Sequence, residues 1–229
     1  MIKQLPKEWN EQSTILLVDK PYGWTSNDVV RYLKFHHRYK KIGHAGTLDP
    51  LATGLLIIGT NHCTKELNDL LHVNKSYLVT IKFHYASNTF DLDTNQVDCY
   101  FNEPVITKEQ LISTLNYFVS LDPYWQTPPK FSAIKINGQK AYDLARSNVE
   151  FKLEPKQVKL YQYNDLVFDN HRQECSFMID CSGGFYVRSL VNDLATKLNT
   201  HAVLIGLRRI KVGNYSINDD DVITIKKED

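Results

Sequence analysis

The least ordinary stretch of the chain is Gly43-His44-Ala45-Gly46-Thr47-Leu48-Asp49-Pro50-Leu51-Ala52-Thr53-Gly54. Its glycines permit backbone conformations and close approaches denied to other residues. Pro50 pushes Asp49 toward an extended backbone and out of a helix. A carboxylate fixed on such a loop can serve as a nucleophile or a base. The competing reading is that Asp49 only caps a turn, and spacing alone favours it, because turns are commoner than functional loops. Tyr77 has the same two faces. Its place in the alternation Tyr77, Val79, Ile81, Phe83 reads as core, whereas a ring at a cleft edge would stack on a nucleobase for ~1–3 kcal/mol. Arg188 lies just inside a predicted helix, where the dipole disfavours a cation. Apolar neighbours point to partial burial, so a carboxylate partner is expected for it.

Residues 31–41, RYLKFHHRYKK, hold five cations (among them Arg31, Lys34 and Arg38), two histidines and no acid. One-signed runs either engage phosphates or form a solvated helix face, and both readings stay open. Other chemistries read poorly. The four cysteines form no CxxC and the eight histidines no HExxH, so no metal is expected. The HxE…PCxxC pattern of zinc base deaminases, GxGxxG, GxxxxGK[ST] and GxSxG are all missing. A Ser-His-Asp triad is not decided by sequence.

The elements that must position these residues can be read from periodicity. At 229 residues, 42% hydrophobic and 23% charged, the chain is one large domain or two small ones with a buried core. Its net charge of +1 argues against a simple polycation. No apolar run approaches the ~18 residues of a spanning helix, and no signal pattern opens the chain. STILLVDKP (13–21) predicts a strand, Thr25 with Asp28 a capping box, and Asn27 to about Tyr39 a helix. LLIIG predicts a buried strand, 61–74 a helix, and Lys75–Tyr85 a strand with alternating faces. Thr107 with Gln110 opens a helix bearing Leu111, Ile112, Leu115, Phe118 and Val119. A Pro-rich loop, DPYWQTPPK, leads to a short strand FSAIKI and an Asn137-Gly138 turn. Strands are expected over 155–168 and 172–182, a helix after Ser182-Gly183-Gly184, and a strand-like tail. Strands and helices do not alternate strictly, so the class is α+β with a mixed sheet.

Taken together, these segments resemble the TruB family, the bacterial tRNA pseudouridine-55 synthases. LLVDKPYGWTSNDVV (16–30) is similar to the family's first motif, and KIGHAGTLDPLATGLL (41–56) matches its catalytic motif nearly residue for residue. KSYLVTIKF (75–83) is similar to its tyrosine strand and PPKFSAIKINGQKAYDLAR (128–146) to its RNA-contacting insert. CSGGFYVRSLVNDL (181–194) is similar to its arginine motif and GLRRIKVG (206–213) to its last core strand. This resemblance reverses the reading of Asp49.

The resemblance implies a pseudouridine synthase fold, a mixed and mostly antiparallel sheet with flanking helices around a central RNA-binding cleft, in a single catalytic domain over 1–229. It implies that Asp49 acts on the ribose of a flipped uridine, and that Tyr77 stacks on the base and takes the C5 proton. Arg188 pairs with the catalytic carboxylate, and Asp91 is the second acid of that ion network. Tyr186 lies by the base, and His44 meets the RNA where the base has left the stack. Lys20 is structural or positions RNA. Arg31, Lys34, Arg38, Lys130, Arg208 and Arg209 are candidates for phosphate contact, with solvated surface an equal reading for each. Isomerisation needs no nucleotide, metal or redox cofactor.

Departures from the family are Ala45 for a common threonine, Asn88 for an acid (Asp91 and Asp93 remain), and an end at Asp229, about where relatives begin a PUA domain. The expectation is therefore a cytoplasmic, monomeric core that binds the T-arm of tRNA alone, with no membrane and no obligate protein partner. Rival readings are an RNA-folding factor acting chiefly by binding, a guide-RNA-dependent relative, and a nucleoside deaminase or glycosidase. Lack of zinc ligands and of paired carboxylates weighs against the last two.

Overall fold

The computed structural model describes residues 8–92, 96–136, 138–147 and 149–225; Asp93 and Asn137 of the expected turn lie outside them. The chain forms two compact units, one of residues up to Tyr77 together with those from Arg208 onward, the other Leu78–Leu207. The class is the one expected, α+β with a large, mostly antiparallel sheet.

In the first unit, β1 (Ile15–Lys20) and β3 (Ala52–Thr60) are largely apolar runs that a sheet can bury, and β2 (Ile42–Ala45), mostly half-buried, lies beside β3. β1 pairs antiparallel with β3 from Ile15↔Gly59 to Lys20↔Gly54, and β2 pairs with β3 from Ile42↔Thr60 to Ala45↔Ile57. Leu17, Ala45, Leu55, Ile57, Leu67 and Val212 meet as the core of this unit. Helix α1 (Ser26–His37) starts where the sequence places it, because the Thr25 side chain and Asp28 cap each other's backbone N–H. It buries Val29 and Leu33 and ends before Tyr39, as Arg38 turns left-handed at φ 52°. The expected helix after Thr60 is instead a 3-10 helix, Asn61–Leu71. Thr60 gives it no side-chain cap, and Gly59 lets its first turn press on β3, where a Cβ would come 2.8 Å from the Cys63 carbonyl oxygen.

β4 (Lys75–Phe83) has residues in both units and alternates as expected, with Val79, Ile81 and Phe83 buried and Leu78 exposed. It stops before Tyr85 because His84 adopts φ 67° and gives its N–H to the His201 carbonyl at 2.7 Å. In the second unit, α2 (Lys108–Ser120) carries the Thr107–Gln110 capping box and buries Leu111, Leu115 and Phe118. The strand Glu174–Cys181 buries Cys175, Phe177, Ile179 and Cys181 in strict alternation and pairs with the strand Leu160–Asp169. The Pro-rich loop contains an unforeseen strand, Tyr124–Gln126, paired with Lys156–Val158. Of FSAIKI only Lys135–Ile136 is strand. Helices α3 (Ala141–Arg146) and α4 (Val187–Lys197) follow, α4 burying Leu190, Val191 and Leu194.

Two glycines of the first unit separate backbone strain from crowding. Both have positive φ, +79° at Gly23 and +99° at Gly54, but Gly23 faces open space while a Cβ on Gly54 would lie 2.3 Å from the Arg209 carbonyl oxygen. Gly23→Ala is expected to cost about 1–2 kcal/mol, the left-handed penalty alone. Gly54→Ala is expected to cost about 4 kcal/mol or more, since backbone must move. Equal urea midpoints for the two variants would contradict this.

Candidate active site

Asp49 is half-buried at the end of an irregular segment, and the backbone on either side of it is held by side chains from the β1–α1 connection. On one side, the Leu48 N–H donates to the Ser26 hydroxyl at 2.9 Å, and that hydroxyl lies 3.2 Å from the Leu48 carbonyl to which it donates. On the other, the Pro50 carbonyl accepts the Gly23 N–H at 2.8 Å and the Lys20 ammonium at 3.3 Å. Asp49 itself closes a turn, its carbonyl accepting the Ala52 N–H at 3.0 Å. So Asp49 takes part in a turn through its backbone.

Lys20 is 0% exposed, and its ammonium also donates to the Pro21 and Trp24 carbonyls at 2.9 and 2.6 Å. Burial lowers its pKa from 10.5 to about 8, the Asp49 carboxylate opposing this and the Arg209 guanidinium adding to it. Arg209 is 1% exposed and gives Nε to the Leu55 carbonyl at 2.7 Å and an Nη to the Gly46 carbonyl at 3.0 Å. Gly46 takes φ +73° to present that carbonyl. Lys20, Ser26 and Arg209 thus brace the loop at three points. His44 is half-buried on β2 opposite Ile58, and Tyr77 is buried near the start of β4.

These positions correct one expectation: Arg209, a candidate for phosphate contact, is buried and donates to carbonyls inside the protein, so it is not placed to meet a phosphate. The carbonyl contacts of Lys20 are those of a structural lysine. Arg208 is forked onto Asp19 at 2.9 and 2.7 Å, which occupies its guanidinium edge. Arg38 lies over the Trp9 ring, half-buried, with 5.2 Å to the ring centre. Arg31 and Lys34 on α1 are exposed, Arg31 3.7 Å from Asp28.

In the second unit, Arg188 is 5% exposed and has the carboxylate partner its helix position called for. Its Nε lies 3.6 Å from Asp91 Oδ2, and both side chains are buried. Its two Nη atoms donate to the Thr89 and Phe131 carbonyls at 3.0 and 2.8 Å. Arg188 therefore ties the loop at 87–91 to the PPKF segment. Tyr186, half-buried, precedes α4, and its N–H donates to Gln126 Oε1 at 2.8 Å. Lys130 is exposed on the rim of a cavity of about 1090 Å³ also lined by Asn88, Ser189 and Asp193. Among the described residues, no three His, Cys, Asp or Glu side chains gather as a metal site requires.

Sequence reasoning passed over Ser26, which lies between the expected cap Thr25 and the expected helix from Asn27, and Gln126, hidden in a Pro-rich loop. The TSN run held a signal for Ser26, since Thr25 alone suffices as the cap and leaves the next hydroxyl to be explained.

With this geometry in view, comparison with known proteins is direct. The family model for TruB family pseudouridylate synthases (N terminal domain) matches residues 34–187. A tRNA pseudouridine synthase B from Ureaplasma urealyticum is 45% identical over 205 residues, covering 90% of this chain and 88% of that one. The Malacoplasma penetrans protein of the same name is 40% identical, covering 92% and 90%, and that of Aquifex aeolicus 38%, covering 89% and 70%. The chain belongs to the TruB family. Among solved structures, a Cbf5-Nop10-Gar1 complex matches with a TM-score of 0.71 at 22% identity, over 97% of this chain and 58% of that one. An H/ACA RNP bound to a substrate RNA matches at 0.66 and 22%, over 92% and 50%. At such identity these two share the fold, and this chain spans only half to three-fifths of their length.

The Lys20 ammonium gives this site a pH signature. Its pKa is lowered on folding, so below about pH 8 both states hold the proton and the burial penalty is in full force. Between about 8 and 10.5 the unfolded state holds a proton that the folded state lacks, and stability climbs with pH. Relative to Lys20→Met, the wild type is expected to gain up to about 3 kcal/mol across that window. Parallel stability–pH curves for the two proteins would rule this out.

Proposed function

We propose that this chain is an RNA-modifying isomerase that converts uridine 55 in the T-loop of tRNA to pseudouridine, acting in the cytoplasm as a monomer on the T-arm. What carries this reading is the GHAGTLDPLATG loop of a TruB family member, in which Asp49 stands half-exposed on a backbone clamped at Leu48 and Pro50. A uridine in a stacked loop hides C1′ and C5, so it is first flipped out for a few kcal/mol. Asp49 acts at the ribose, the N1–C1′ bond breaks, the uracil turns, and a C5–C1′ bond forms. The C5 proton leaves, N1 regains one, and the product is an isomer of the substrate. Tyr77 receives the base, and its phenol is the group nearest in kind to a base for C5. Arg188, with Asp91, supplies the ion network, and Tyr186 and His44 contact the displaced nucleotide and the RNA it leaves. Preorganisation of this kind is worth most when charged groups need not rearrange during reaction.

Release of tritium from a T-arm labelled at uridine C5 tests the chemistry. The wild type is expected to release it without added metal or nucleotide, and Asp49→Asn to be at least ~10³-fold slower while still binding the RNA. No release by the wild type with RNA bound would favour the RNA-folding reading.

The phosphate contacts divide by exposure. Removing exposed Arg31 and Lys34 together is expected to flatten the dependence of log K on log salt by about 0.7–0.9 per phosphate lost. Arg208→Gln, which frees Asp19, is expected to leave that slope unchanged and to lower stability. A slope that responds to Arg208 and not to the α1 pair would reverse the assignment.

A further inference from the structure

Gln126 is 1% exposed, and no step of the reaction uses it. It belongs to the short strand Tyr124–Gln126 inside a loop read from sequence as irregular. Its Oε1 accepts the Tyr186 N–H at 2.8 Å, and its Nε2 donates to the Tyr124 hydroxyl oxygen at 3.4 Å. The Tyr124 hydroxyl in turn donates to Asp193 Oδ2 at 2.5 Å. Tyr124 is 3% exposed. Burial, and next the Asp193 charge, push its phenol well above its ordinary range, so it keeps its proton.

The order of donors follows from these groups. The carboxylate of Asp193 is an acceptor, so the single phenolic proton goes to it, and the phenol's lone pair is left for Gln126. That contact selects the amide orientation in which Nε2 faces Tyr124 and Oε1 faces Tyr186. Helix α4 has no side-chain cap of its own at Tyr186. Its entry is fixed by the amide of Gln126 and by the Ser189 hydroxyl, which donates to the Thr127 carbonyl at 2.7 Å. Tyr186 and Arg188 both sit at that entry.

We propose that Gln126, oriented by the Tyr124–Asp193 pair, is a positioning residue that sets Tyr186 at the start of α4 and thereby the geometry of the base pocket. This rests on the isomerase reading given above. The relay spans Asp193 on α4, Tyr124 and Gln126 on one strand, and the backbone of Tyr186, so it returns to the helix from which it starts. A tie of this kind holds the helix entry against the strand Tyr124–Gln126 through a neutral amide.

Gln126→Glu and Gln126→Met test it by two readouts. A neutral carboxylic acid can donate to Tyr124 and accept from Tyr186, as the amide does, whereas a carboxylate cannot donate. Facing position 126 are Tyr124, with Asp193 behind it on the far side of its hydroxyl, and, opposite in register on the strand Lys156–Val158, the exposed Lys156. Burial and Asp193 favour the neutral acid and Lys156 opposes it. The ratio of Gln126→Glu to wild-type kcat in tritium release is expected to fall about tenfold from pH 6 to pH 8.5, with KM for the T-arm changed less than about threefold. Gln126→Met is expected to lose ten- to thirtyfold in kcat at every pH. The second readout is independent of activity: hydrogen-exchange protection of the Tyr186 amide drops about tenfold in Gln126→Met, and in Gln126→Glu only on the alkaline side. A pH-independent kcat ratio, a loss carried by KM, or unchanged Tyr186 protection in Gln126→Met would overturn the proposal. A wild type inert in tritium release while Tyr186 protection tracks Gln126 as described would locate the failure in the isomerase reading and leave the hold on Tyr186 supported.

Discussion

A lysine ammonium with no solvent contact must be satisfied by the protein, because a buried charge without partners costs far more than any single contact returns. The acceptors of Lys20 lie in two places, the carbonyls of Pro21 and Trp24 just after it and that of Pro50 thirty residues on. The turn after β1 and the loop bearing Asp49 are therefore conditional on each other, since neither alone saturates the three donors. Ser26 adds a reciprocal pair at Leu48, and Gly23 a second donor at Pro50. This is the physical content of the DKPYGWTS segment: it is the mould for the loop that carries Asp49.

Arg209 does the same from the other side. Its guanidinium joins the carbonyls of Gly46 and Leu55, and its backbone runs so close to Gly54 that no side chain fits there. The glycines of GHAGTLDPLATG thus answer to particular neighbours. Gly46 takes a left-handed turn that offers its carbonyl, and Gly54 makes room for a strand. Buried donors thus fix the backbone on both sides of Asp49, the kind of support that the role proposed for it would need.

Elements built from neighbouring residues were legible in the sequence. The capping boxes at Thr25–Asp28 and Thr107–Gln110 form as expected, and the alternation from Cys175 to Cys181 sets the inner face of its strand. Features that depend on distant partners were not legible. Gln126 meets Tyr186 sixty residues away, and nothing beside it in sequence reports that contact. Arg208 and Arg209 are adjacent and alike in type, yet one forks onto Asp19 and the other is sealed among carbonyls. A reactive role for Asp49 was suggested only by the resemblance, because a turn-forming aspartate and a reactive one share the same local pattern, and the backbone of Asp49 does form a turn.

The choice of partners for the buried cations has a consequence for the chemistry. Lys20, Arg209 and Lys75 are all buried, and the donors placed here go to backbone carbonyls, Lys75 to those of Leu71 and Val73 at 3.0 and 2.8 Å. Carbonyl oxygens satisfy hydrogen bonds without cancelling charge. The charge of Lys20 is therefore still felt at Asp49, whose carboxylate raises the Lys20 pKa against the lowering by burial. A formal charge of +1 over the whole chain conceals this arrangement, in which Lys20 and Arg209 are buried against the loop while Arg31, Lys34 and Lys130 are exposed.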